Sequence, residues 1–468
     1  MSKSFVTPAI GFVDLATFSD LEAYLYGGSN AVTYFVRSIK KSNWFSFLPV
    51  TLRHVSGVPG FGNDFSASVN RSGDYVLNSW LRVQVPQIQL PVTGADGSAL
   101  YLDSSIRWTR NFMHNLIQKV NISFNELVVN EFDNHWLDFN HYLRTRGSKQ
   151  VGYRNMIGDI SSMTTPVGPG VPLGTGGFFN LVLPFWYGED SGIALQAAAL
   201  PFNDIKINYF LRDWTELLVL QAGTAAAGGV RAATTSDVYM TGKSLQTVPK
   251  LTVVETWSHY AIVHNDERVK MGKAPRDVVI HQVQELQEVA FDATVSGVQQ
   301  SYDLRLSHAV HLMVWAARNN ATTGEWSNYT TEPNYAGLDP ISNSALVYEN
   351  TFRMNMGSDY FSLVAPYLYS DAIPEETGIH FMTYAIHPWC LDPSGSTGMS
   401  KLANVSIVHD PSPAATNASS ASAPVDKDGV AIVTQAGAVF PQKYRHVFRA
   451  RNWNIVRASG GSLGLPVL

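Results

Sequence analysis

Few stretches of this chain place residue types at spacings that could do chemistry, and each fails on its context. Thr241-Gly242-Lys243-Ser244 has the ending of a phosphate-binding loop, where a lysine and a hydroxyl would meet phosphate oxygens and magnesium. That loop needs a glycine where this chain has Asp237, and a strand-to-helix turn that a β-rich neighbourhood does not supply. Gly174-Thr175-Gly176-Gly177 lacks the βαβ unit in which a glycine run cradles a dinucleotide. His308 and His311 are three apart, which on a strand puts them on opposite faces, so a structural histidine beside solvent is expected rather than a shared metal. Cys390, the single cysteine, has no evident histidine partner and is expected to be a buried, inert thiol. Glu189-Asp190 and Glu375-Glu376 imitate a glycosidase carboxylate pair, but both sit in Gly- or Pro-bounded turns and read as solvated turn charges. Sequons at Asn70, Asn121, Asn320, Asn328, Asn404 and Asn417 are expected by chance in a chain rich in Asn, Ser and Thr. No catalytic, cofactor-binding or metal-ligating set emerges.

The elements that would have to position such groups are strands. In the run 74–85 (DYVLNSWLRVQV), Tyr75, Leu77, Leu81, Val83 and Val85 are apolar, broken only by Ser79. That period of two predicts one buried and one partly wet face, with Arg71-Ser72-Gly73 as the turn before it and Pro86 as the stop after it. The run 303–315 repeats the scheme, with Leu304, Leu306, Val310, Leu312 and Val314 expected on one face. Further strands are expected near 61–70, 116–129, 180–187, 199–211, 250–263, 277–289, 344–352, 379–386 and 443–457, with a short helix over 135–143. An amphipathic helix is expected over 14–28, where Leu15, Phe18, Leu21 and Leu25 share a face and Gly27-Gly28 ends it. The insertions 161–177, 222–247 and 411–424 read as loops, the last exposed and mobile.

A chain of 468 residues is too long for one ordinary core. The charged bridge 264–276 marks the boundary, giving an arm over 1–28, a first domain over 29–264, a linker over 265–276 and a second domain over 277–468. Two echoes suggest duplication. Phe124-Asn125-Glu126 resembles Val347-Tyr348-Glu349-Asn350, and Pro184-Phe185-Trp186-Tyr187 resembles Pro366-Tyr367-Leu368-Tyr369. Charged residues are only 15% of the chain, which makes its surface easier to bury against copies of itself. The net charge of −5, with no basic run beyond Lys40-Lys41, argues against a nucleic-acid binder. One cysteine allows no internal disulfide, which suits a reducing compartment. The first twenty residues have no apolar core and no run reaches 18 apolar residues, so neither a signal peptide nor a transmembrane helix is expected.

Several stretches, in order along nearly the whole chain, resemble the major capsid proteins of iridoviruses. They are GFVDLAT (11–17), LYGG (25–28), TYFV (33–36), RSGDYVLNSWL (71–81), IRWTRN (106–111), MHN (113–115) and NMIG (155–158). LRLSHA (304–309), LVYENT (346–351), PSGST (393–397), LANVS (402–406) and a Gly-x-Pro-x-Leu terminus complete the set. The chain departs from the pattern at Gly398-Met399-Ser400-Lys401, across 237–275, and in the loops 161–177 and 411–440. The resemblance implies an all-β fold of two consecutive eight-stranded jelly rolls, with short helices and long inter-strand loops. It implies a structural protein with no enzymatic activity and no cofactor. Its partners would be itself, as a homotrimeric pseudo-hexagonal capsomer among neighbouring capsomers, and minor capsid proteins. The N-terminal arm would add the inner viral membrane, with no direct contact to nucleic acid. Its place would be the icosahedral virion shell, assembled in the host cytoplasm. The competing expectation is a carbohydrate-binding β-sandwich used for attachment.

Overall fold

The computed structural model describes residues 8–92, 103–222, 229–243, 247–273, 275–295, 297–333, 335, 337–420 and 441–465. It divides into two compact units, Met1–Trp44 and Phe45–Leu468. Among its described residues the first holds one helix, α1 (Pro8–Ala16), and a single 3-10 turn at Glu22–Tyr24. The helix expected over 14–28 does not form. Thr17 brings its N–H and hydroxyl back to the Asp14 carbonyl (3.3 and 2.6 Å), and Ser19 donates to the Glu22 carboxylate to start a separate turn. Among its described residues, Phe12, Leu15, Leu21, Tyr34, Phe35 and Trp44 are all exposed.

Among the described residues of the second unit, sixteen of the strands form the two sheets of each half. The first half has β1 (Phe45–Ser56), β2 (Asp64–Ser68), β3 (Tyr75–Gln84), β4 (Ile117–Phe124), β5 (Leu127–Asp133), β6 (Phe178–Val182), β7 (Ile205–Leu211) and β8 (Val253–Val263). The second half has β9 (Arg276–Glu285), β10 (Gln300–Asp303), β11 (Ala309–Asn319), β12 (Ile341–Tyr348), β13 (Thr351–Gly357), β14 (Ile379–Thr383), β15 (Val405–Pro411) and β16 (Tyr444–Ser459). The sheets run β1-β8-β3-β6 and β2-β7-β4-β5 in the first half, and β9-β16-β11-β14 and β10-β15-β12-β13 in the second. Adding eight to each label of one half gives the other. In the first half β1 also bends between sheets, pairing β8 through Leu52 and β2 from Arg53 on. These are two jelly rolls in tandem.

The repetition extends to irregularities. One extra residue interrupts the register at Leu77 between β3 and β8, and at His311 between β11 and β16. The same holds for Gln118 and Ser342, and for Val129 and Arg353. The β4–β5 turn uses Asn125 and Glu126 at φ 48° and 67°, and the β12–β13 turn uses Glu349 and Asn350 at 46° and 63°. These are two-residue hairpins with both central residues left-handed, which match strand twist and favour Asn. The first echo in the sequence is therefore this turn. The second is not a structural repeat: Pro184–Tyr187 follows β6, whereas Pro366–Tyr369 belongs to a helix before β14.

Within β3 the burial runs as the alternation predicts from Ser79 onward, with Leu81 and Val83 inside. Ser79, the one polar inward position, is satisfied by the Tyr187 and Ser258 hydroxyls (2.8 and 2.6 Å). The bulge at Leu77 then inverts the phase, so Val76 rather than Tyr75 or Leu77 is buried. Arg71 donates to the carbonyls of Leu200, Pro201 and Asn203, which makes the turn ahead of β3 a structural clamp. The run 303–315 is not one strand. β10 ends at Asp303, His308 takes φ 59°, and β11 starts in another sheet at Ala309. The bulge at His311 then turns Leu312 and Val314 away from the face that holds Val310. The loop expected over 411–424 is partly helical: Pro413–Ala418 forms a helix capped by Ser412, with Ala415 and Ala418 buried, and 421–424 lie outside the described residues. The helix over 135–143 is present as part of α3 (Asn134–Arg144), preceded by α2 (Phe112–Leu116) and followed by α4 (Gly147–Ile157), while α5 (Asn265–Lys273) occupies the charged bridge.

Leu81 is fully buried at the centre of β3. Replacing it by Asp places an unpaired charge there. Leu81→Asp is expected to abolish soluble folded protein, measured as loss of the cooperative thermal transition; wild-type yield and melting would refute the placement.

Candidate assembly interfaces

The outward face of the sheet β9-β16-β11-β14 does not meet solvent. Leu312, Val314, Ala316, Phe381 and Val447 join the core of the first half, while Val310, Met313, Trp315, Phe448 and Ala450 line the core of the second. β11 is accordingly buried along nearly its whole length.

Charged groups cross this contact in pairs. Arg449, on β16, donates through Nε to Asp133 Oδ1 (3.0 Å) at the end of β5, and both side chains are buried. The same Asp133 oxygen accepts the Trp136 N–H and caps α3 (3.0 Å), so one carboxylate fixes a helix start and a domain contact. Burial alone would raise the Asp133 carboxyl, but the Arg449 guanidinium holds it well below the usual carboxylate range. Nearby, Glu189 accepts from Arg451 and lies 2.7 Å from His281 Nδ1. Burial opposes ionisation here too, but Arg451 and His281 bring Glu189 down to about 2. Burial and the Arg451 charge push His281 down to about 4, so it is neutral near pH 7. Glu288 receives His135 and Arg318, each at 3.0 Å, and Tyr329 donates to Asp138 (3.0 Å), which also meets His114 (2.7 Å). At the rim, Arg110 pairs with Glu376 and Arg154 with Glu375.

This geometry revises several expectations. Glu189 and Glu376 are not solvated turn charges: each lies in a turn but points into the contact between the halves, and each side chain is 12% exposed. Asp190 accepts the Gly192 N–H (2.6 Å), as a turn residue does. Cys390 is exposed rather than buried, because it follows a turn closed by its N–H on the His387 carbonyl (3.2 Å). His311 is fully buried at the bulge, beside His281 and Trp453, so it does not lie beside solvent; His308 is half-buried. Thr241 and Lys243 sit in a turn after the strand Tyr239–Met240 rather than at a helix start, and Ser244 lies outside the described residues. The carbonyls of Gly174 and Gly176 accept the Gln87 and Gln84 amides (3.0 Å each). Of the sequons, Asn121 and Asn328 are buried in the folded chain. Among the described residues, no group of three or more His, Cys, Asp or Glu could hold a metal ion.

The paired charges of Asp133, Glu288, Arg449 and Arg451 escaped the sequence pattern. Their one local signal is an arginine at alternate positions of an otherwise apolar strand, Val447-Phe448-Arg449-Ala450-Arg451, which demands buried partners.

Residues 33–262 match a family described as "Major capsid protein N-terminus", and residues 267–464 one described as "Large eukaryotic DNA virus major capsid protein". Over 482 aligned residues the chain is 44% identical to the major capsid protein of Costelytra zealandica iridescent virus, with 100% of each covered. The chain belongs to the iridovirus major capsid protein family. It is a structural, non-enzymatic protein of a large DNA virus capsid. A second member of the family, from Lymphocystis disease virus 1 (isolate Darai), is 40% identical, with 100% of this chain and 99% of the relative covered. Among solved structures, the PBCV-1 virus capsid superposes with a TM-score of 0.70 at 17% identity, covering 93% of this chain and 100% of that one. The Faustovirus major capsid protein gives 0.68 at 12% identity, covering 96% and 97%. At such identities the likeness speaks for the double jelly roll fold.

Two outcomes are expected of the buried pairs. Asp133→Ala strands Arg449 and should cost about 3–5 kcal/mol in denaturant unfolding, well beyond an average surface change. The Glu189 carboxyl, depressed from 4.5 to about 2, contributes stability that is present above pH 4.5 and is lost as pH falls toward 2. Glu189→Gln should therefore flatten the acid limb of the stability–pH curve in that window; an unchanged limb would contradict the pairing.

Proposed function

We propose that this capsid protein assembles as a homotrimer of pseudo-hexagonal outline, and that such capsomers tile an icosahedral shell over an internal membrane. The observation that carries this reading is the duplication. A chain that presents two like modules in a fixed relation gives six like modules when three copies close a ring, and a cyclic trimer needs only heterologous contacts that close on themselves. The low charge fraction is consistent with extensive burial between copies. In this reading the first jelly roll spans 29–264, the linker 265–276 and the second jelly roll 277–468. The arm 1–28 reaches the inner membrane or minor capsid proteins through its exposed apolar side chains. No residue contacts the genome directly, no active site or cofactor is involved, and assembly takes place in the host cytoplasm.

Native mass measurement combined with electron microscopy of the purified chain tests this. A stable mass of three chains with a hexagonal outline is the expected result. A well-behaved monomer that binds sugars would instead favour an attachment β-sandwich.

A further inference from the structure

The second jelly roll holds an open polar socket at a place that a lysine of its own fills in the first. We propose that this socket binds the ammonium group of a lysine presented by another chain of the capsid. It lies within one half, so it does not depend on how many copies form a capsomer.

The socket is a cavity of about 360 Å³ where β10 and β15 meet the turn that closes β12, lined by Ser301, Asp303, Arg305, Asn350, Asn404 and Ser406 among others. Strand register identifies its counterpart. In β15, Ser406 stands opposite Asp303 of β10 and Val347 of β12. In β7, Lys206 stands opposite Ser68 of β2 and Ser123 of β4. The turns agree: the Glu349 N–H donates to the Asn404 carbonyl (2.9 Å) as the Asn125 N–H donates to that of Asp204 (3.0 Å). Ser406 therefore occupies the place of Lys206, Asn350 that of Glu126 and Asn404 that of Asp204.

In the first half the lysine serves its own site. Lys206 Nζ lies 2.9 Å from Glu126 Oε1 and 3.0 Å from Asp204 Oδ2, and its side chain is only 23% exposed. In the second half the serine is too short to reach, and the cavity is the room that the missing side chain leaves. The acceptors are not lost with it. Asp303 puts a carboxylate where the first half has Ser68, directly opposite Ser406, and such cross-strand neighbours have Cβ atoms about 4.5–5.5 Å apart. Asn350 and Asn404 put amide carbonyls where the first half has its two carboxylates. Asn404 donates its amide N–H to Glu349 (3.1 Å), which keeps its carbonyl oxygen for a donor. Among the described residues, the side chains of Ser301, Asp303, Arg305, Asn350 and Ser406 have no hydrogen-bond or ion-pair partner.

Arg305 supplies the rest of the recognition. In the turn after β2 the corresponding cation, Arg71, donates to three carbonyls of its own chain. Arg305, in the turn after β10, has its donors free for the main-chain carbonyls beside the incoming lysine. That matters because an exposed ion pair alone is weak. No aromatic side chain is among the lining residues, so a sugar ring has no face to stack on.

Zero-length carbodiimide coupling in assembled virions tests this, because it joins a carboxylate only to an amine already in contact with it. The expected product is an amide between Asp303 and a lysine in trans, identified by peptide mass spectrometry in a species heavier than one chain. The joined sequence tells whether a second copy or a different capsid protein supplies the lysine, and either supports the socket. Ser406→Lys restores the first-half arrangement in cis and is expected to lose the link in trans; if that variant does not assemble, the wild-type result decides alone. Asp303 that stays unlinked, takes up glycine amide added as a soluble competitor, or joins a lysine of its own chain overturns the proposal. So does a link in trans that persists undiminished in Ser406→Lys.

Discussion

A sheet buried on both faces governs this molecule. Because β9-β16-β11-β14 carries apolar side chains toward the first half as well as toward its own core, the two jelly rolls cannot behave as beads on a string. Burial on that scale excludes water from the contact, and any charge there must find a partner within the protein. Arg449 and Arg451 on the central strand do so with Asp133 and Glu189 of the other half. Such pairs add less net stability than their Coulomb attraction suggests, but they penalise every arrangement that separates them. Their effect is to fix the angle at which the second jelly roll meets the first.

The same constraint gives the chain its polarity. One module lends its hairpin edge and helix α3 to the contact, and the other lends a sheet face. The contact uses up unlike surfaces from the two halves, so like modules end with unlike exposed sides. The free sides differ in composition: one carries Phe47, Trp80 and Trp257 beside the half-exposed Arg82–Glu255 pair, and the other Phe352, Tyr367 and Leu368.

Much of the fold was legible in the alternation of residues because antiparallel strands with one buried face write it directly into the sequence, as the 79–85 stretch does. What failed to read was phase. A single extra residue at Leu77 or His311 exchanges the two faces, and nothing in the residue types announces it. The break at His308 was equally silent, since Leu304 and Leu306 continue the apolar pattern while the backbone crosses to another sheet. Turn charges such as Glu189 and Glu376 were misjudged because a turn that would be wet in one jelly roll is roofed by the second. That roof depends on contacts between residues more than 200 positions apart, such as Arg110 with Glu376, which no local window contains.

The bulges also act as switches of side-chain direction. Three extra residues occupy equivalent places in both halves, although the side chains at them, Leu77 and His311, Gln118 and Ser342, Val129 and Arg353, share no chemistry. Deleting any one of these residues would turn the strand beyond it inside out, so both halves depend on the same three irregularities to aim their side chains.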